Sequence, residues 1–337
     1  MKYNLLIGRY WPYALFFILF IAMPSFGVAQ IKKPKIKRAS AAYGFILGQE
    51  QSLQYIREQY PRLEFSVFQA ENVFKASFGQ ARVNLQKYLI GYMGQDAFKT
   101  LEDTLLKTMK KSAPDLFFSE ERALNMLSTV HDRARGEISS PILETILAFQ
   151  YEETPQDEIA SGFVQVFRTK GHAKAKETDW QIKIPLSWSA EEAERPNIIQ
   201  KFISENGDGR YQIMLYVKKA ELLAGKKLTK AEEQAMFSEY NCRSSIPDGG
   251  TFISYNKMTF DRIAGASMVF DQVAERLDTR VKVRTVQFIF VLDGMVYMLH
   301  CFIMGESASS DLTKEWSKVR PLFLQVAHSI VVFDQYK

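Results

Sequence analysis

Two apolar runs flank Asp293-Gly294, and together they constrain the fold more than any other feature of the chain. Asp-Gly suits a two-residue hairpin turn, whose central residues take positive φ. If Leu292 pairs with Met295, then Phe290 faces Tyr297, Phe288 faces Leu299 and Val286 faces Cys301 on one side of the ladder. The other side carries Ile289, Val291, Val296, Met298 and Phe302, with Gln287 opposite His300. Both faces are apolar, so each needs a covering layer. The hairpin therefore predicts the middle of an α/β/α sandwich with a mainly antiparallel sheet, and an exposed meander is excluded.

Other stretches of period two sit around this hairpin. Gln181 to Pro185, Ile198 to Ile203, Tyr211 to Val217 and Thr251 to Tyr255 read as strands, separated by turn signals at Asn206-Gly207-Asp208-Gly209 and Pro247-Asp248-Gly249-Gly250. A helix is predicted over Lys230 to Tyr240. Another closes the chain, with Leu312, Trp316, Val319, Phe323, Val326 and Ile330 on one face and a kink or restart at Pro321.

The first half has a different period. Leu85, Tyr88, Leu89 and Tyr92 recur three and four apart, as do Phe98, Leu101, Leu105 and Met109, so residues 39–150 predict four or five packed helices. Pro61 and Pro114 punctuate the segments, Ser119 before Glu120-Glu121 marks a start, Gly136 a stop, and Ser140-Pro141 a second start. Phe65, Phe68, Phe74, Phe78, Tyr88 and Tyr92 read as core aromatics, since aromatic residues at helical spacing are usually buried. Residues 151–179 read as a polar connector around one short strand, Phe163 to Phe167. The fold class is thus α+β, with a helical domain over 39–150 and a sandwich domain over 180–337.

Several segments carry a family resemblance. Lys183-Ile-Pro-Leu-Ser-Trp188, Arg195-Pro-Asn-Ile-Ile-Gln-Lys-Phe202, Ile246-Pro-Asp-Gly-Gly250, the run Arg284 to Cys301 and the closing helix ending Ser329-Ile330 resemble the PsbP-like α/β/α fold. That fold is shared by the extrinsic photosystem II subunit, a eukaryotic Ran-binding import factor and DcrB-type bacterial envelope proteins. The resemblance covers about Trp180 to Val332. The helical half has no counterpart in it, and the combined architecture resembles exported proteins of Bacteroidetes-type bacteria. What the resemblance implies is partner or ligand binding rather than catalysis, although a fold alone does not assign a function.

Lys2 and Arg9 precede an apolar run from Tyr13 to Met23, followed by Pro24 and the small-residue end Gly27-Val28-Ala29. This order describes a secretory signal peptide over residues 1–29, with Gln30 as the new N-terminus. The competing reading keeps Tyr10 to Val28 as a membrane anchor. It is favoured by the five positive charges Lys32, Lys33, Lys35, Lys37 and Arg38, which oppose translocation of the run before them. Residues 30–38 form a basic tail able to touch anionic lipid head groups. The chain has 43 basic and 38 acidic residues, and setting aside the seven basic ones named here leaves 36 against 38. A near-neutral body gives no argument for nucleic acid. The location expected is periplasmic or secreted.

Motifs for chemistry are sparse. Gly305-Glu-Ser-Ala-Ser309 and Gly265-Ala-Ser-Met-Val269 lack the closing Gly of a nucleophile elbow. His131, His172, His300 and His328 lie far apart, with neither H-E-x-x-H nor C-x-x-C, so no metal site is expected. Glu205-Asn-Gly-Asp-Gly209 lacks the spacing of a calcium loop and reads as a turn. No cofactor is implied. His300 and Cys301 point to opposite faces of a strand and cannot form a dyad; His300 is expected to bond Gln287 across the ladder. Cys242 and Cys301 could form a disulfide in an oxidising compartment or stay as buried thiols. Arg280, Lys282 and Arg284 share one strand face and form the candidate ligand-binding site, for an anionic ligand or an envelope protein. The competing reading balances them against Asp271, Glu275 and Asp278. The enzymatic alternative, an exported hydrolase, requires His172 or His300 to converge with carboxylates in a concave site.

Overall fold

A computed structural model describes residues 35–336 apart from 118, 138–140, 220–228, 230–231, 233–234 and 277–278. The leader, the apolar run Tyr10 to Val28, Lys32 and Lys33, and Asp278 lie outside the described residues. No described helix is long and apolar enough to cross a membrane. The chain divides into two units, a helical one over Gln30–Phe163 with Leu186–Trp188, and a sheet unit over Val164–Pro185 and Ser189–Lys337.

The helical unit begins with α1 (Lys35–Gln59), then α2 (Glu64–Met93), α3 (Gln95–Leu116), α4 (Glu120–Ala134), α5 (Pro141–Gln150) and the short α6 (Gln156–Ala160). Helix α2 is long because its apolar residues keep one stripe: Val67, Ala70, Phe74, Phe78, Ala81, Leu85 and Leu89 are all buried. Ser119 caps α4, its hydroxyl accepting the Arg122 amide at 3.3 Å, and Gly136 follows with φ +73°. Pro114 lies inside α3, within its last turn, and does not divide two helices.

Further sequence expectations are corrected in this unit. Lys35, Lys37 and Arg38 belong to the first helix and not to a tail; the Lys35 ammonium sits 5.0 Å from the Tyr88 ring and 5.5 Å from that of Phe149. Of the six aromatic positions, Phe74 and Phe78 are core, whereas Phe65, Phe68 and Tyr92 are 70%, 55% and 65% exposed. They fall on the side of α2 away from its buried stripe. Residues 151–163 complete the helical core through Phe163 and do not form a connector. Leu186–Trp188 returns to this unit, held by the buried Glu158, which accepts the Ser187 amide and hydroxyl at 2.7 Å each.

The sheet unit contains β1 (Val164–Arg168), β2 (Trp180–Pro185), β3 (Ser189–Glu191), β4 (Ile198–Ile203), β5 (Tyr211–Lys219), α7 (Glu239–Arg243), β6 (Thr251–Phe260), β7 (Ile263–Arg276), β8 (Thr279–Leu292), β9 (Met295–Met304), α8 (Thr313–His328) and β10 (Val331–Val332). Seven strands form one antiparallel sheet in the order β3-β4-β5-β9-β8-β7-β6. The register of β8 and β9 is the one expected, from Leu292 against Met295 to Val286 against Cys301. Asp293 and Gly294 have φ +48° and +73°.

Both faces of this sheet are covered. Trp180 packs edge-on to Phe290 and Tyr297 on one face. Met236, Phe237 and Cys242 pack with Met268, Phe270 and Ile289 on the other. The first layer differs from the expected one, because β2 is not in the main sheet. It pairs with β1 and β10 in a separate three-stranded sheet beside α8. Strand β7 has no counterpart among the expected strands. Helix α8 runs without a break through Pro321, which lies on its exposed side.

Candidate functional site

The basic triplet is graded from buried to exposed along β8. Arg284 is buried and its guanidinium forms two bonds to the Asp271 carboxylate, at 2.7 and 2.9 Å. Lys282 approaches the same carboxylate at 3.6 Å, and Arg280, 68% exposed, lies 3.9 Å from Glu275. Facing strands put these partners in register, Asp271 against Arg284 and Glu275 against Arg280. Arg280, Lys282 and Arg284, the candidate anion site, thus face Glu275 and Asp271 in an ion-pair ladder on β7 and β8.

Neither histidine builds a catalytic group. His172 accepts the Lys174 amide at 3.2 Å in a short turn. His300 is fully buried beside the Tyr216 ring, with centroids 4.5 Å apart, and neither ring nitrogen has a hydrogen-bond partner among the described residues. The expected bond to Gln287 is absent because the Gln287 amide turns to the Met298 sulfur, 3.8 Å away. Burial pulls the imidazole down to about 3, so the ring is neutral. Cys242 and Cys301 are both buried free thiols, and no disulfide joins them. Burial pushes the Cys242 thiol up to about 12 and Cys301 well above its usual range. Among the described residues no group of three or more His, Cys, Asp or Glu side chains could hold a metal ion.

A concave feature lies in the helical unit. A groove of about 560 Å³ runs between α1, from Phe45 to Glu58, and the end of α3, from Thr108 to Phe117. Gly44 and Gly48 present no side chain to α3, so Leu105 and Met109 lie against the α1 backbone; a Cβ at these glycines would sit 3.6 and 3.5 Å from them. The hydroxyl of Tyr60 donates to the Phe117 carbonyl at 2.7 Å and ties the two helices at their far end. The apolar lining comes from Phe45, Tyr55, Met109, Ala113, Leu116 and Phe117, and polar groups come from Gln49, Ser52, Glu58 and Lys110. Gln49 is 6% exposed, and its Oε1 accepts a 2.9 Å hydrogen bond from Arg133 of α4. The Arg133 guanidinium lies 5.0 Å from the Phe45 ring. A volume of this size falls within the ~300–1,000 Å³ typical of small-molecule sites.

Sequence reasoning did not assemble this groove, because its walls lie some sixty residues apart in the chain. The available signal was the pair Gly44 and Gly48, four apart on one helix, which marks a close helix approach.

No family model matches the chain, and no curated protein matches it. Solved structures do show likeness to about half of it. The cyanobacterial PsbP protein CyanoP of Synechocystis is similar at 12% identity and a TM-score of 0.30, covering 50% of this chain and 92% of CyanoP. The Ran-binding protein Mog1p of Saccharomyces cerevisiae is similar at 9% identity and a TM-score of 0.33, covering 51% and 97%. LpqN, involved in cell envelope biogenesis in Mycobacterium tuberculosis, is similar at 10% identity and a TM-score of 0.28, covering 52% and 96%. Likeness at these scores carries no argument about what the chain does. The α+β architecture is that expected from the sequence, a helical unit followed by a mostly antiparallel sheet unit, and PsbP-like structures are among those it is similar to.

Proposed function

We propose that the protein is exported to the cell envelope and acts there as a binding protein, holding a ligand in the groove of its helical unit. The groove is the observation that carries this reading: a cleft of about 560 Å³ lined by both apolar and polar side chains. Export rests on the positive start, apolar run and Gly27-Val28-Ala29 end of residues 1–29. The second reading keeps Tyr10 to Val28 as a tether, favoured by the five positive charges behind it. N-terminal sequencing of the native protein separates the two. Gln30 as first residue means release, and Met1 or Lys2 means tethering.

Binding is tested with a neutral apolar fluorophore, N-phenyl-1-naphthylamine, titrated into the purified protein. One saturable site is expected, abolished by S52W, since Ser52 is half-buried in the groove wall and an indole there fills it. Unsaturable binding, or binding unchanged by S52W, would remove the groove as the site.

A further inference from the structure

Arg133 is a half-buried cation without a carboxylate. Arg82 meets Glu50, Arg168 meets Asp179 and Arg284 meets Asp271. Arg133 meets instead an amide oxygen and an aromatic face, and it makes no ion pair among the described residues. The nearest acidic residue in its own helix, Asp132, is bound to Arg135 at 2.9 Å. A charge taken partly out of water with no opposite charge is held at a cost in free energy, which an anion beside it would offset.

The contact with Gln49 carries that charge to the groove. A guanidinium can only donate, so the carbonyl oxygen of Gln49 must be the end that faces Arg133, whichever way the amide is drawn. The amide nitrogen is thereby left with its two N–H donors, and it makes no hydrogen bond among the described residues. Arg133 thus orients Gln49 as a donor in the groove wall, with a positive charge directly behind it. Lys110 adds a second cation to the lining. The opposite end is acidic: Glu58, which accepts from Gln54 at 3.0 Å, disfavours an anion there. Between the two ends α1 runs from Phe45 to Glu58, about 20 Å of helix at ~1.5 Å per residue. The lining between them includes Tyr55, Met109, Ala113 and Leu116.

We propose that the groove takes an anionic amphiphile, a long acyl chain ending in a carboxylate, with the carboxylate at the Gln49 and Arg133 end and the chain lying toward Phe117. This rests on the groove reading above and gives its ligand class. Gln49 is the binding residue in this arrangement, and Arg133 is a positioning residue that acts through it.

The test uses the delipidated full-length protein and a fluorescent fatty acid, cis-parinaric acid, displaced by palmitic acid or by hexadecanol, which has the same chain length without the charge. The acid should displace the probe at least tenfold more effectively than the alcohol. Q49E gives Arg133 an internal carboxylate and should preserve the fold while removing that preference. R133M should do the same by removing the cation, with the alcohol unaffected in both variants. Hexadecyl phosphate should compete no better than palmitate; a clear advantage for the phosphate would overturn the carboxylate assignment. Equal displacement by acid and alcohol in the unaltered protein, or a preference that survives Q49E, would overturn the anionic class while leaving the groove as a site. Failure of probe and both competitors to bind would remove the groove reading as well.

Discussion

Arg284 and Arg133 are both arginines set into packed surface, and what faces each one decides its role. Arg284 is locked to Asp271 in a buried pair, so removing one partner strands the other charge. R284A should cost about 3–5 kcal/mol in urea unfolding, and R280A, at an exposed site, less than about 0.5 kcal/mol. Equal effects would contradict the graded ladder. The sequence places both residues on one strand face, but side-chain spacing carries no information about depth under the neighbouring layer. For the same reason His300 was legible as a ladder neighbour of Gln287 while its lack of a bond was not.

Two buried groups set opposite pH dependences. Burial pushes the Glu158 carboxyl up to about 7 from a usual 4.5, with the Ser187 bonds pulling the other way. The native state therefore holds this proton more tightly, and the stability it contributes is full below about pH 4.5 and lost as pH rises toward 7. Burial pulls His300 down to about 3 from 6.5, so its contribution is full above about pH 6.5 and lost as pH falls toward 3. Thermal unfolding across this range should show the first slope vanish in E158Q and the second in H300L. H300L should be no less stable than the parent at pH 7, because it removes two unpaired nitrogens from the core. A lower midpoint at pH 7, or unchanged slopes, would contradict this.

At the level of elements, turn chemistry decided what could be read. Asp293-Gly294 announced its hairpin because Gly tolerates positive φ, and the register followed residue by residue. Strand β7 went unread because its turn, Asp261-Arg262, also has both residues at positive φ, +44° and +72°, but contains no Gly. The chain holds this strained turn from outside. Asp261 accepts the Val332 amide at 2.8 Å and the Tyr336 hydroxyl at 2.6 Å, and its carbonyl accepts the Gln335 amide at 2.7 Å. Such support from residues seventy positions away leaves no local signature. R262G should raise stability by about 1 kcal/mol by relieving the left-handed strain, read as a higher urea midpoint; a lower midpoint would show that the arginine side chain stabilises the turn. The helical elements were legible in their stripes and in the Ser119 cap. The exposure of Phe65, Phe68 and Tyr92 was not, since aromatic content alone does not say which side of a helix a neighbour covers.

At the scale of the whole molecule, the two-unit division was legible from the change of hydrophobic period, and the boundary was not. The stretch read as a connector supplies Phe163 to the helical core and β1 to the three-stranded sheet, while Leu186–Trp188 crosses back under the hold of Glu158. Charge also redistributes its meaning. The basic excess lies in residues 2–38 and the strand triplet faces Asp271 and Glu275 of β7, whereas Arg133, beside the groove, is half-buried and makes no ion pair among the described residues. That cation was invisible in sequence because its significance depends on Phe45 and Gln49, more than eighty residues earlier.

The claim that a long-chain anion lies between α1 and α3 is tested most directly by photolabelling. A palmitic acid analogue with a diazirine near the carboxylate, irradiated with the full-length protein and mapped by peptide mass spectrometry, should label around Phe45 and Gln49. A diazirine near the chain end should label toward Leu116 and Phe117. Labels spread over the exposed face of α2 or over the sheet unit, or the same labels from both analogues, would contradict the account.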